Sequence, residues 1–298
     1  MIIDAHAHVF ENPLIKQEPQ GDRYIKASDQ IDLMDRIGVD KAVILPLSNP
    51  EATCEYQGIN EILNICRAYP GRFIPFCCVD PRRINQDIPI DADYFEFILE
   101  QYKQLGCKGM GELIAKVWWD DPRLLALLEA CERVGFPVTF HTSLPEAPDY
   151  GPMDEPGFGR FEKVLQRFPN LVFLAHSMSY WTEISGDFTM EDKYEYPTGP
   201  VKPGGTVTRL MRQYPNLYGD LSAGSGLNAL TRDPEHAWKF IDEFQNKLIF
   251  GLDYCFIDQE RQHIEWLNAA LKEDNISRQA YDKIMYKNIS KVLGLESP

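Results

Sequence analysis

The stretch Ile2-Ile3-Asp4-Ala5-His6-Ala7-His8 decides how the rest of this chain is read. It starts as a short run of β-branched and small residues and ends in two histidines two positions apart. On an extended strand, residues i and i+2 share a face, so a strand predicted over 2–8 delivers both imidazoles to one side. Two neutral imidazoles on one face, flanked by small alanines, suit zinc or a similar divalent ion. Histidines spaced this way also arise incidentally, so the reading depends on what stands at the ends of the other strands.

Outward from that stretch, apolar or β-branched runs recur at 41–47, 72–79, 106–113, 137–141, 171–176, 216–221 and 247–253. Amphipathic helical patterns fall at 59–68, 94–105, 122–134, 158–168, 206–213 and 234–244, with two more at 259–271 and 278–293. Eight strands alternating with helices predict parallel βαβ units. With 298 residues, against the ~250 typical of such folds, the expected architecture is α/β: a single (β/α)8 TIM barrel with a C-terminal helix, one domain over 1–298. The competing open, doubly wound sheet would place a glycine-rich phosphate loop after the first strand, and none is present. Tyr69-Pro70-Gly71, Phe168-Pro169-Asn170 and Tyr214-Pro215-Asn216 look like three repeated helix-to-strand junctions. One connection, 177–205, far exceeds the usual length of about 2–6 residues. It carries Tyr180, Trp181, Tyr194 and Tyr196, which suits a lid or substrate wall as well as a packed surface insertion. The same aromatics would serve a contact between copies of the chain, which leaves a homo-oligomer open.

Composition narrows the partners. A formal net charge of −15 repels phosphate at long range and argues against nucleic acid or an anionic membrane. It leaves room for a small-molecule substrate, even a carboxylate-bearing one, because a local metal or arginine reverses the field inside a cleft. No run approaches the ~20 apolar residues of a membrane span, and the N-terminal stretch has neither a basic nor an apolar signal region. Seven cysteines without a CxxC pair read as reduced thiols in a cytoplasmic protein.

Three further strand ends carry chemistry. The fifth ends in His141, the sixth in His176 and the eighth in Asp253. Active-site groups of such barrels sit at the carboxyl ends of several different strands. Four of the six histidines fall there, while His236 and His263 fall in helical patterns and read as solvent-side residues. An aspartate beside an apolar strand is costly to bury unless it is paired or metal-bound. Lys116, Trp118, Trp119, Arg160, Tyr180, Trp181 and Ser222 follow strand ends and are candidates for the mouth. Asp220 reads only as a cap or pairing residue.

His6-Ala7-His8, His141, His176 and Asp253, in this order and placement, resemble the amidohydrolase superfamily. Phe140-His141-Thr142-Ser143, Asp121-Pro122-Arg123-Leu124 and the ending 288–295 are similar to its amidohydrolase-related (family 2) branch. The resemblance implies His6, His8, His141 and Asp253 as ligands of a divalent metal, most readily Zn2+. It makes Asp253 the proton-transfer residue and His176 an orienting or acid/base residue. Glu112 departs from the single-metal pattern; a glutamate there serves as a ligand in two-metal relatives, so the metal count, one or two, stays open. The implied activity is metal-dependent hydrolysis of a small amide, lactone or ester, with Tyr180, Trp181 and Arg160 toward the substrate. The alternatives are a non-oxidative decarboxylase of an aromatic or unsaturated acid and, with less support, a dinuclear TatD-like phosphoesterase. Many of the decarboxylase relatives replace the first histidine by glutamate, and this chain keeps histidine.

Overall fold

The computed structural model describes residues 1–51, 53–85 and 87–296. Eight parallel strands run in chain order: β1 Ile3–Ala7, β2 Lys41–Ile44, β3 Phe73–Pro75, β4 Met110–Leu113, β5 Val138–His141, β6 Phe173–His176, β7 Leu217–Asp220 and β8 Leu248–Ile249. The helices between and after them are α1 Ala27–Ile37, α2 Ile59–Ala68, α3 Ala92–Gln104, α4 Pro122–Val134, α5 Gly159–Arg167, α6 Met178–Thr182, α7 Thr206–Gln213, α8 Ala223–Thr231, α9 Pro234–Phe244, α10 His263–Lys272, α11 Arg278–Asp282 and α12 Asn288–Val292. Strands β1–β3 form one continuous ladder and β4–β8 another. Two seams join them into a ring. Between β3 and β4, Cys77 N–H donates to Gly109 O at 3.0 Å and Gly111 N–H to Cys77 O at 2.8 Å. Between β8 and β1, Ala5 N–H donates to Phe250 O at 3.0 Å and Asp253 N–H to His6 O at 2.8 Å. The fold is the (β/α)8 barrel.

Local sequence explains where elements start and stop. Asp121 caps α4 by accepting from Arg123 N–H, with Pro122 in the first turn and Gly135 closing the helix in the left-handed conformation. Asp233 and Pro234 repeat the arrangement on α9. The strands are nearly all buried, as in parallel sheets covered on both faces. Val43, Leu45, Ile74, Phe76, Leu174 and Ile249 pack together with Ile289 and Leu293 around α12. Alternate residues such as Ala42, Ile44, Phe173, Ala175 and Phe250 face the surrounding helices.

Two strands break this alternation, and both breaks matter for function. In β1 the pairing register shifts between Asp4 and Ala7. Ile3 and Ala5 belong to the inner cluster, whereas Ala7 belongs to the outer one. The inward face therefore changes phase, and His6 and His8 take it. In β4 the register shifts between Met110 and Leu113, both packed outward, so Gly111 and Glu112 are the residues left for the interior. Such bulges re-aim side chains beside active sites.

The element limits differ from expectation in places. α1 was not expected, although Ile31, Leu33, Met34 and Ile37 before Gly38 carry a helical spacing. α8 starts Ala223-Gly224-Ser225-Gly226, a poor helix former held by tertiary packing. The regular parts of β3 and β8 are shorter than 72–79 and 247–253, because each continues as single seam bonds. Segment 177–205 is a surface insertion whose first part, 177–185, is packed inside while most of 186–204 is exposed. It contains α6 and a short 3-10 turn at Glu191–Tyr194. It is anchored by a fully buried Lys193–Glu183 ion pair, and Lys193 also donates to Ser179 O at 2.9 Å. The Lys193 ammonium lies 4.8 Å from the Phe158 ring centre and 5.0 Å from that of Phe188.

Removing one partner of a buried ion pair leaves the other charge desolvated and uncompensated. Lys193→Ala is expected to destabilise the protein by about 3–5 kcal/mol in urea unfolding. A loss below about 1 kcal/mol would show that Glu183 is rehydrated or neutralised at no cost.

Candidate active site

At the carboxyl ends of the strands, four histidines and two carboxylates converge. His6 and His8 present their Nε2 atoms to each other at 3.2 Å. Glu112 Oε2 lies 3.8 Å from His6 Nε2 and 3.3 Å from His8 Nε2. Asp253 Oδ1 lies 3.7 and 3.5 Å from the same two nitrogens. The second oxygens of both carboxylates face the other histidines: Glu112 Oε1 is 3.3 Å from His141 Nδ1, and Asp253 Oδ2 is 3.8 Å from His176 Nε2. His141 and His176 are paired across β5 and β6. Asp253 holds a left-handed backbone, φ 56°, fixed by its own N–H and by Arg261, which donates to Leu252 O at 2.7 Å and Asp253 O at 2.9 Å.

Most of the imidazole nitrogens that face away from this cluster are also held. His6 Nδ1 is 2.7 Å from Asp220 Oδ2, and His8 Nδ1 is 2.9 Å from Leu45 O. A ring nitrogen beside a carbonyl oxygen carries the proton, so the His8 Nε2 lone pair is free toward the centre. His176 Nδ1 is 2.8 Å from Ser222 Oγ, which also reaches His6 Nδ1 at 3.2 Å. Burial works against charge on His6, yet Asp253 and Asp220 overcome it and hold its pKa well above the ordinary imidazole value. Burial, with the His6 charge next, lowers that of His176 to about 4. Glu112 is pushed up by burial but pulled further down by His141, His6 and His8, ending well below the usual carboxylate range.

This donor set fits a divalent cation. Two ring nitrogens facing at 3.2 Å with two carboxylates beside them need positive charge between them, supplied by a proton or by a cation. His6, His8 and Glu112 offer donors within 4.8 Å of one another, as do His6, His176 and Asp253, and Glu112, His141 and His176. Glu112 Oε1 and His141 Nδ1 are buried without a hydrogen-bond partner, which is costly unless something else satisfies them. Imidazole nitrogens and carboxylate oxygens suit zinc, manganese or similar ions.

The other expected mouth residues lie elsewhere. Tyr180 is fully buried against Phe158 and Trp181. Trp181 is buried and donates its indole N–H to Asp220 O at 2.9 Å. Both belong to the layer between strands and helices, because α6 turns them inward. Arg160 is taken up by Asp120 and Glu155 and lies 4.6 Å over the Trp118 ring. Trp119 is buried. His263 is buried too, bonded at Nε2 to Ala223 O at 3.0 Å, which corrects its reading as a solvent-side residue. Asp220 does pair, and its partner is His6. Asp149, Tyr150, Cys255 and Arg261 surround the cluster without having been singled out. The Tyr150 ring centre is 4.4 Å from that of His141, and Cys255 Sγ is 3.6 Å from Asp253 Oδ1.

A parallel barrel with an imidazole–carboxylate cluster at its mouth defines a class of metal-handling enzyme scaffolds. Within it, a family model described as amidohydrolase matches residues 3–295. The chain belongs to the amidohydrolase family, whose members and structural neighbours include hydrolases and decarboxylases. No curated protein matches it. Among solved structures it is similar to an amidohydrolase from Burkholderia multivorans with bound zinc: 12% identity, 99% and 100% of the two chains covered, TM-score 0.64. It is also similar to a 5-carboxyvanillate decarboxylase from Novosphingobium aromaticivorans with manganese and 4-hydroxy-3-methoxy-5-nitrobenzoic acid: 17% identity, 99% and 96% covered, TM-score 0.64. A third is a probable 2-pyrone-4,6-dicarboxylic acid hydrolase from Acinetobacter baumannii with citric acid: 16% identity, 99% of each chain, TM-score 0.59. These likenesses establish the shared fold.

Gly251 has no room for a side chain. A Cβ there would lie 2.8 Å from Asp220 Oδ1 and from Ser222 Cβ, and 3.2 Å from His6 Cβ. Gly251→Ala is expected to displace Asp220 from His6 and weaken divalent-metal binding by about 10-fold or more, measured by competition with a chromophoric chelator. Unchanged affinity would show that His6 keeps its orientation without that contact.

Proposed function

We propose that this protein is a metal-dependent hydrolase of a small amide, lactone or ester. The observation that carries the reading is the 3.2 Å approach of the His6 and His8 Nε2 atoms, flanked by Glu112 and Asp253. His6, His8, His141, Asp253 and Glu112 would hold the ion, His141 through Nδ1, with zinc the best match to the donors. The bound ion lowers the pKa of water toward ~7 and polarises a carbonyl.

The protein's own groups supply the remaining steps. Asp253 directs Oδ1 at the two histidines and Oδ2 toward His176. There it takes the proton of the attacking water and returns it to the leaving oxygen or nitrogen. His176 stays neutral at physiological pH, with its pKa lowered to about 4. It therefore orients the water or the substrate carbonyl by hydrogen bonding. Glu112 addresses two histidine sets with two oxygens, a geometry that would accommodate a second ion beside His141 and His176. Tyr150 and half-exposed Tyr196, whose ring stands against Gly224 at the start of α8, are the aromatic surfaces offered to a substrate in place of Tyr180 and Trp181. Seven free thiols suit a cytoplasmic location.

Decarboxylation is the second reading, supported by the decarboxylases among the structural neighbours. Asp253 would then deliver the proton to the carbanion, with His176 orienting the substrate. Activity against a panel of lactones, amides, esters and aromatic acids should vanish on chelation and return with zinc, manganese or cobalt. Oxygen-18 from labelled water should enter the product. Carbon dioxide release without label would replace hydrolysis by decarboxylation, and activity undiminished in the metal-free protein would remove both readings.

Because Asp253 and Asp220 draw His6 toward protonation, metal uptake competes with that proton. Affinity is therefore expected to rise with pH, and calorimetry in two buffers of different ionisation enthalpy should show proton release. Uptake without proton release would show that His6 is already neutral.

A further inference from the structure

We infer that Asp149 is a positioning residue: the outer carboxylate that fixes the tautomer and aim of His141. The inference rests on the metal-site reading above. Three of the four histidines have a hydrogen-bonded partner on the nitrogen facing away from the cluster: Asp220 for His6, Leu45 O for His8 and Ser222 for His176. His141 is used the other way round. Its Nδ1 faces Glu112 at 3.3 Å and is buried without a hydrogen-bond partner. Its Nε2 therefore points away, and the polar group it meets is Asp149, with Oδ2 at 3.9 Å. A proton on Nε2, attracted by that carboxylate, leaves Nδ1 bare toward the ion. An outer carboxylate on a ligating histidine sets the ring's orientation and raises its basicity.

The segment carrying Asp149 is built against His141 at several points. Ser143 donates its hydroxyl to Asp149 Oδ1. Lys116 Nζ donates to Ala147 O, and to Asp149 O at 3.2 Å, while Gly151 N–H donates to Ile114 O at 2.9 Å. Gly151 has φ +100°, and a Cβ there would lie 2.0 Å from His141 O. The chain thus passes directly over the His141 backbone, which only glycine permits. Tyr150 then covers the face of the His141 ring while Asp149 stands at its edge. The lysine, the glycine and the aromatic ring hold one carboxylate beside one imidazole edge.

The test is cobalt binding, read without turnover. Wild type, Asp149→Asn, Asp149→Ala and the control Glu146→Gln are titrated with Co2+ against a competing chelator, and their visible absorption bands are recorded. Asp149→Asn keeps the shape and the Ser143 contact but loses the charge. The expected result is an affinity loss of about 10–100-fold for Asp149→Ala, a smaller loss for Asp149→Asn and shifted cobalt bands in both. Glu146→Gln should match wild type, and thermal melting of the metal-free proteins should be unchanged for Asp149→Asn. Wild-type affinity and bands in both Asp149 variants would overturn the inference while leaving the metal reading intact. A wild-type protein that takes up no cobalt would remove the metal reading itself.

Discussion

His6 and His8 turn two ring nitrogens toward each other across 3.2 Å at the barrel mouth, with Glu112 and Asp253 close beside them. In water such an arrangement would relax. Here burial, the Asp220 and Leu45 contacts and the β1 register shift prevent it. Much of the surrounding structure follows from holding that cluster together. Gly251 is bare so that Asp220 and Ser222 can approach His6. Asp253 accepts a left-handed backbone, with Arg261 gripping the two carbonyls that precede and follow its Cα. Strain of this kind persists where surrounding contacts over-determine it, which is characteristic of functional sites.

The outer ring of partners gives the histidines different characters. His6 is drawn toward protonation by two aspartates, whereas His176, desolvated by burial and close to the His6 charge, is held neutral. One residue type thus supplies both ligand-type and hydrogen-bonding chemistry, separated by burial and by which charges stand nearby. The overall charge of −15 has little part in this, because the groups that decide it lie within a few ångströms.

Fold and cluster were legible in the sequence to different depths. The barrel could be read because parallel strands are continuous apolar runs and helices have their own period. His6, His8, His141, His176 and Asp253 could be read because strand ends are where chemistry collects. Glu112 was readable as a carboxylate at a strand end, but its two-sided geometry depends on a bulge that no alternation rule anticipates. Tyr180 and Trp181 misled because aromatic residues in a long connection look like a lid, whereas a five-residue helix folds them into the core. Asp149 and Arg261 were silent because each acts from a loop, Asp149 through the His141 and Ser143 side chains and Arg261 through the Leu252 and Asp253 carbonyls. The helix starting at Ala223 was hidden by its own glycines.

The closing seam brings the first strand against the last. Asp4 accepts a hydrogen bond from Leu252, 248 positions along the chain, and His6 O accepts from Asp253 N–H. The two histidines of β1 and the aspartate after β8 therefore meet only where the ring closes. The complete cluster is a property of the closed ring and of neither strand alone. Whatever opens the β8–β1 seam also takes the cluster apart.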